Sequence, residues 1–545
     1  MLRSLERCIV FLLRTISRLL LVLLSLPTRL SRIVEWVPGR PSSADAGVGG
    51  CSWSVSSPTE PLLLLPGVEL ARRIRQRKVK CIDVVQAYVN RIQEVNPMVN
   101  ALVKDRYEEA LQEARQVDEM LLIGEEDEES LKEKLPFLGV PLTVKEAFAL
   151  HGMPNSAGLV ARRNVISNTD AIVVARLKQA GAIPLGVTNC SELCMWYESS
   201  NNVYGRSNNP YDIRRIVGGS SGGEGCILGA AGSPMGVGSD IGGSIRMPAF
   251  FNGIFGHKPT QGVVPNEGQF PNATGAQKDL LSTGPMCRYA EDLEPMLRVM
   301  AGSEVSKLKL DKEVSLMDIK FYSMEHDGGS MFVSPVDQEI IQAHRRVVEH
   351  LESQLGVSVQ HVEIRKMKYS FQIWSALMSK EIDGQEEPSF TDLLGDHGKA
   401  VWPVWELMKW LLGLSSHTLP AIALAVAEKL VKLNPSRNAK LESMARNLRT
   451  EMVNFLGDDG VLLYPSHPKI APKHHLPLGM PFNFAYTGIF NILGLPVTQC
   501  PLGLSSEGLP LGIQLVAGHF NDHLTLSVAK YLEKAFGGWA LPGRS

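Results

Sequence analysis

The chain has 545 residues, 44% of them hydrophobic, and its 55 Lys and Arg nearly balance 57 Asp and Glu for a formal net charge of −2 at pH 7. That length and apolar share suffice for two ordinary domains or one large one, and the charge balance leaves no overall field to recruit nucleic acid or a strongly charged partner. The eight cysteines (Cys8, Cys51, Cys81, Cys190, Cys194, Cys226, Cys287 and Cys500) form no C-x-x-C pair and read as free thiols, and no H-E-x-x-H arrangement signals a metal site.

Cys8 to Leu26 is apolar apart from Arg14, Arg18 and a few hydroxyls, with Arg3, Arg7, Arg29 and Arg32 on its flanks. A membrane span needs ~20 mostly apolar residues, so residues 1–33 read as a single-pass anchor, an interfacial amphipathic helix or a cleaved signal peptide, each of which places this end at a membrane. Residues 34–58 are rich in Pro, Gly, Ser and Ala and read as a flexible tether. The folded domain is expected over residues 59–545.

Within it, Asp83 with Gln86 forms a capping-box pattern, and Val84, Val85, Tyr88, Val89, Ile92 and Val95 recur at helical spacing up to Asn96-Pro97. The acidic run Glu125 to Glu129 reads as a solvated loop. Phe137 to Val144 reads as a buried strand, and the residues alone would send the following Lys145 to water. Thr169 or Asp170 opens a helix that stops at Gly181. Ala182 to Val187 is a strand, and Glu192 to Trp196 is helix-like. Alternation of this kind predicts an α/β fold with a central sheet.

Gly218 to Gly256 holds 13 glycines in 39 residues, with serines set beside glycine pairs at Ser220, Ser221 and Ser244. Glycine lets main chain approach a substrate closely, as an oxyanion site requires, while a phosphate cradle or a set of tight turns would use the same composition. No Gly-Lys-Ser/Thr ending follows, which argues against a P-loop. Ser220 and Ser221 each sit in a G-x-S-x-G pattern, but the loop-like Asn208 to Asp212 replaces the strand that a nucleophile elbow needs. Ser244 is better placed, because Ile241-Gly242-Gly243-Ser244 can turn several amides toward one point.

Further along, Ala290-Glu291-Asp292 opens an amphipathic helix, Asp318 to Tyr322 is a strand, Val336 to Leu355 is a helix ending at Gly356, and Val357 to Ile364 is the next strand. Trp402 to Leu433 is crowded with apolar side chains, among them Trp402, Trp405 and Trp410, and suits either deep core or a membrane-facing surface. Late in the chain, His519 and His523 could complete a histidine-dependent triad with Ser220 or Ser221, which keeps a lipase or esterase open.

The glycine-serine run, together with Pro141-Leu142-Thr143-Val144-Lys145-Glu146, resembles the signature of the amidase signature family of serine hydrolases. From about Glu60 to Gly537 the chain is similar to the fatty-acid amide hydrolases within it. The resemblance implies a large mixed central β-sheet covered by helices on both faces and cleavage of linear fatty-acid amides, such as oleamide and anandamide, without a cofactor. It makes Ser244 the acylated nucleophile, Ser220 the bridging serine after a cis peptide, and Lys145 a buried base. Oxyanion donors fall on the backbone of Ile241, Gly242, Gly243 and Ser244, and Cys194 falls at a substrate contact, with Met195 and Trp196 near the acyl tunnel. It also implies a lipid amide as substrate, a membrane as partner, a membrane-facing helical cap at residues 402–433, and an N-terminal anchor in intracellular membranes or lipid droplets, and it is compatible with a homodimer. An amidotransferase subunit of the same family and an inactive membrane scaffold are the competing readings within it.

Overall fold

The computed structural model describes residues 53–380, 388–395, 399–432 and 435–543. The proposed N-terminal membrane segment therefore lies outside the described residues, as does most of the tether. The packed chain begins ahead of residue 59: Val55 is buried and its amide donates to Pro210 O, while Arg214 lies over the Trp53 ring.

Thirteen strands occur among the described residues: β1 Leu102–Asp105, β2 Pro141–Lys145, β3 Ile183–Thr188, β4 Ser200–Asn201, β5 Gly205–Arg206, β6 Met235–Asp240, β7 Phe255–Lys258, β8 Ser282–Cys287, β9 Lys320–Ser323, β10 Val359–His361, β11 Gly460–Tyr464, β12 Val497–Leu504 and β13 Pro510–Ala517. Eleven of them form one sheet in the order β1-β3-β2-β6-β8-β7-β12-β13-β11-β9-β10, and β4 pairs with β5. The sheet is mixed: β2 runs parallel to both β3 and β6, while β8 is antiparallel to both β6 and β7. Successive side chains on a strand point to opposite faces, so the burial of every residue of β2, β3, β6, β8, β11 and β13 means that both faces are covered.

The helices that matter for the site are α1 Cys81–Val99, α2 Gly222–Gly229, α3 Arg246–Phe251, α4 Gln338–Leu355, α5 Ser370–Met378, α6 Pro403–Leu411, α7 Leu419–Lys432, α8 Pro435–Leu456, α9 Ala485–Leu493 and α10 Asp522–Phe536. In α1 the expected stripe is buried, but its ends differ from the sequence reading. Asp83 is not the cap; Asp118, from a separate helix, accepts from the amides of Cys81 and Ile82 at 2.7 and 3.0 Å. Nor does Pro97 end the helix, because it falls in the last turn, and the chain leaves at Asn100 in the left-handed region.

Two more local readings shift for tertiary reasons. Residues 137–140 form a turn rather than strand, with Gly139 at φ 73°, where an added Cβ would lie 2.6 Å from Cys81 Sγ. Asp170 caps nothing in its own helix, Ile172–Gln179; its carboxylate accepts from the His151 amide at 2.7 Å and pairs with Lys178 at 2.6 Å. The helix expected to end at Gly356 does so, with that glycine left-handed.

Residues 402–432 of the apolar stretch fold as the helix pair α6 and α7, and the exposure of the first half overturns the deep-core reading there. Trp402, Trp405, Leu412 and Leu414 are 66%, 56%, 68% and 69% exposed. Among the described residues, no helix is long and apolar enough to cross a membrane.

Candidate active site

Lys145 ends β2, a strand flanked on both sides within the sheet, and its side chain is fully buried. Its Nζ donates to Ser220 Oγ at 2.7 Å and to Ser239 Oγ on β6 at 3.0 Å. Among the described residues it has no carboxylate partner within ion-pair distance. Parallel pairing of β2 with β6 brings the lysine and Ser239 together, a juxtaposition that no local pattern in the sequence announces.

Ser220 follows a cis Gly219–Ser220 peptide on the loop that leads into α2. Gly219 is required by contact: an added Cβ would stand 2.4 Å from Trp196 O. Ser221 points elsewhere, its hydroxyl engaging Ser239 O at 3.3 Å in the interior. Ser244 sits just ahead of α3, is 7% exposed, and its Oγ makes no hydrogen bond among the described residues. Both Ser220 and Ser244 line a cavity of about 260 Å³. Among the described residues no hydrogen bond joins their two hydroxyls, and Ser220 Oγ is held by Lys145.

The loop between β6 and α3 is held from several sides. Asp240 accepts from the Gly243 amide at 2.7 Å and the Ile245 amide at 3.1 Å, and it makes a two-pronged ion pair with buried Arg246. Arg246 is fixed in turn by Thr487 O, Asn491 and Gln514. Trp374 Nε1 donates to Ile241 O at 2.9 Å, and Thr487 Oγ1 donates to Gly242 O at 2.7 Å. Gly243 is left-handed at φ 120°, and a Cβ there would fall 2.0 Å from Thr487 Oγ1.

These bonds divide the four expected oxyanion amides. Those of Ile241, Gly242 and Ser244 have no partner among the described residues, whereas the Gly243 N–H is taken by Asp240. Nothing in the glycine spacing distinguishes the fourth from the other three. The clamp itself was missed in the sequence, although two opposite charges within Ser239-Asp240-Ile241-Gly242-Gly243-Ser244-Ile245-Arg246 are unusual in so apolar a run.

Cys194 lines the same cavity, in a turn where Leu193 and Cys194 both have positive φ (52° and 59°). The neighbouring Cys190 thiol lowers the pKa of Cys194 below its ordinary value, against burial, and the nearby Lys145 acts in the same direction. Met195 and Trp196 also face the cavity. Its remaining wall is largely apolar and aromatic, with Phe371, Trp374, Phe390, Leu424, Phe482 and Phe484. Such a surface can hold an alkyl chain, while the hydroxyls and free amides at its base can attack a carbonyl and hold the resulting oxyanion.

No histidine is among the described residues lining the cavity. The His519 ring lies beside Phe520 and Gly494, and the His523 side chain is buried. Among the described residues, then, neither His519 nor His523 joins Ser220 at the cavity.

The Amidase family profile matches residues 83–526. The chain is 65% identical over 519 residues to fatty-acid amide hydrolase 2 of Homo sapiens, spanning 94% of this chain and 98% of that protein. It is 60% identical over 488 residues to fatty-acid amide hydrolase 2-A of Danio rerio, spanning 89% and 91%. A solved structure of a fatty acid amide hydrolase superposes with a TM-score of 0.70 at 22% identity, covering 88% of this chain and 86% of that one, a likeness of fold.

Proposed function

The chain belongs to the amidase signature family, and on that premise we propose that it is a membrane-associated serine hydrolase that cleaves fatty-acid amides to a free fatty acid and an amine or ammonia. The observation that carries this reading is the buried Lys145–Ser220 hydrogen bond of 2.7 Å at the base of an apolar cavity that also holds the unpaired hydroxyl of Ser244. The high identity to hydrolases named for fatty-acid amides supports the substrate class.

In this mechanism Lys145 takes the Ser220 proton as Ser220 takes that of Ser244, and Ser244 Oγ attacks the amide carbonyl. Free amides of the 241–244 loop hold the developing oxyanion, with Asp240 and Arg246 keeping the loop in place. The relay then returns a proton to the leaving nitrogen, the C–N bond breaks, and an acyl ester remains on Ser244. Water, deprotonated through the same relay, attacks the ester; Ser244 Oγ leaves and regains its proton. Ser239 supplies the second hydroxyl on Lys145 and so fixes the direction in which the amine points.

The catalytic domain of this reading spans residues 59–545 together with the packed residues 53–58, with residues 1–33 as a membrane segment, a tether between the two, and 402–433 as a membrane-facing cap. The test is a panel of oleamide and acylethanolamides with wild type and Ser244→Ala. Wild type should hydrolyse both classes, and the variant should lose hydrolysis and fluorophosphonate labelling; continued labelling would move the nucleophile elsewhere. Lys145→Ala should lose more activity at neutral than at alkaline pH, and equal loss at both would remove it as base.

A further inference from the structure

Beside the turn 193–196 of the cavity wall lies a buried carboxylate that the mechanism does not use. Glu192 is 3% exposed and immediately precedes Leu193, Cys194, Met195 and Trp196, all of which line the cavity. Its two oxygens are taken by a distant part of the chain: His417 Nδ1 donates to Oε1 at 2.8 Å, and the Thr418 amide donates to Oε2 at 2.8 Å. His417 and Thr418 belong to the connection between α6 and α7, directly ahead of the first residue of α7. The link continues outward, since the His417 amide donates to Ser415 Oγ at 3.1 Å and Ser415 Oγ donates to Glu406 of α6 at 2.9 Å.

An apolar seam runs beside this polar chain. Leu193 packs in one cluster with Ala421 and Ala425 of α7, with Phe270, Phe390 and Leu393 against it. Leu424 and Ala427 of α7, together with Phe390 and Leu393, form part of the cavity wall. The helix pair with the exposed tryptophans thus also builds the pocket, and it is tied to the catalytic side of that pocket through Glu192.

We propose that Glu192 is a specificity-determining positioning residue: its carboxylate clamps the α6–α7 pair to the 193–196 turn and so sets the stretch of wall that a long acyl chain must touch. The inference rests on the fatty-amide reading of the site. A short acyl group occupies only the region around Ser220, Ser244 and the free amides, which the Asp240–Arg246 clamp holds independently of Glu192. A long chain must also pass the wall supplied by Phe390, Leu393, Leu424 and Ala427. Loss of the clamp leaves the His417 and Thr418 donors without their acceptor and lets that wall shift. Chain-length selectivity falls while the chemistry at the serines persists.

The experiment compares oleamide with butyramide for wild type, Glu192→Ala, Glu192→Gln and His417→Ala in full-length protein. In Glu192→Ala, kcat/KM for oleamide should fall about tenfold or more, mainly through KM, the scale expected for a lost charge-assisted hydrogen bond. Activity on butyramide should stay within about twofold, and Ser244 should react with a small fluorophosphonate at the wild-type rate. Glu192→Gln keeps an acceptor for the Thr418 amide and should lie between the two. Equal loss on both amides, or no change on either, overturns the proposal. Should Glu192→Ala fail to fold, His417→Ala removes only one of the two bonds and reads the same selectivity. A wild-type enzyme that hydrolyses butyramide and not oleamide would overturn the fatty-amide reading itself, and this inference with it, before any variant is compared.

Discussion

Asp240 and Glu224 are both fully buried within the glycine-serine segment, and their surroundings move them in opposite directions. For Asp240, burial alone would raise the pKa, but the Arg246 guanidinium and the Asn491 amide outweigh it and hold the group at about 2. A carboxylate depressed in the folded state stabilises the fold above its unfolded pKa, and that contribution is lost as pH falls from about 4 toward 2. For Glu224, burial dominates and raises the pKa to about 8, against the hydrogen bonds that its carboxylate accepts from the Thr143 and Thr188 hydroxyls at 2.7 and 2.8 Å. The folded protein then binds a proton that the unfolded chain has released above pH 4.5, so this group weakens the fold as pH rises toward 8. Glu224→Gln mimics the protonated acid. Its melting temperature should therefore gain on wild type between pH 5 and pH 8, measured by thermal unfolding at each pH, and a constant difference across that range would remove the argument.

Among the elements, α6 and α7 have two duties that pull on their sequence in different ways. The inner side of α7 closes the cavity with Leu424 and Ala427, and α6 with the residues at its two ends presents Trp402, Trp405, Leu412 and Leu414 to the outside. Exposed indole and leucine side chains on one helix and its turn form an apolar patch flanked by partly exposed Lys409, which suits the interface of a lipid bilayer. Replacing Trp402, Trp405 and Leu412 together by serine should weaken partition onto phosphatidylcholine vesicles about tenfold or more while leaving butyramide hydrolysis unchanged, because none of the three lines the cavity. Unaltered partition in a flotation assay would remove the membrane role from this pair. In α1, by contrast, the apolar stripe was readable and the ends were not, since Asp118 caps it from another helix.

For the molecule as a whole, the core among the described residues begins at Val55 and the sheet at Leu102. Removing residues 1–33 should accordingly leave a folded enzyme with wild-type kcat on butyramide and a smaller share in the membrane fraction of cells. An unchanged membrane fraction would assign attachment to α6 and α7 alone. The sequence by itself determined the helix–strand alternation, the glycine-serine segment and its nucleophile candidates, because periodicity and glycine spacing are local properties of the chain. Its resemblance to a family added Lys145, which the residues alone would have sent to water. Only the tertiary structure decided that Lys145 meets Ser220 and Ser239, that Asp240 occupies the Gly243 amide, and that Glu192 reaches His417 across 225 residues. The Lys145 and Glu192 contacts join segments 75 or more residues apart, and the direction of a side chain across such a gap is set by packing and burial rather than by its neighbours in sequence, while the Asp240 contact, though local, depends on how Arg246, Asn491 and Thr487 hold that loop.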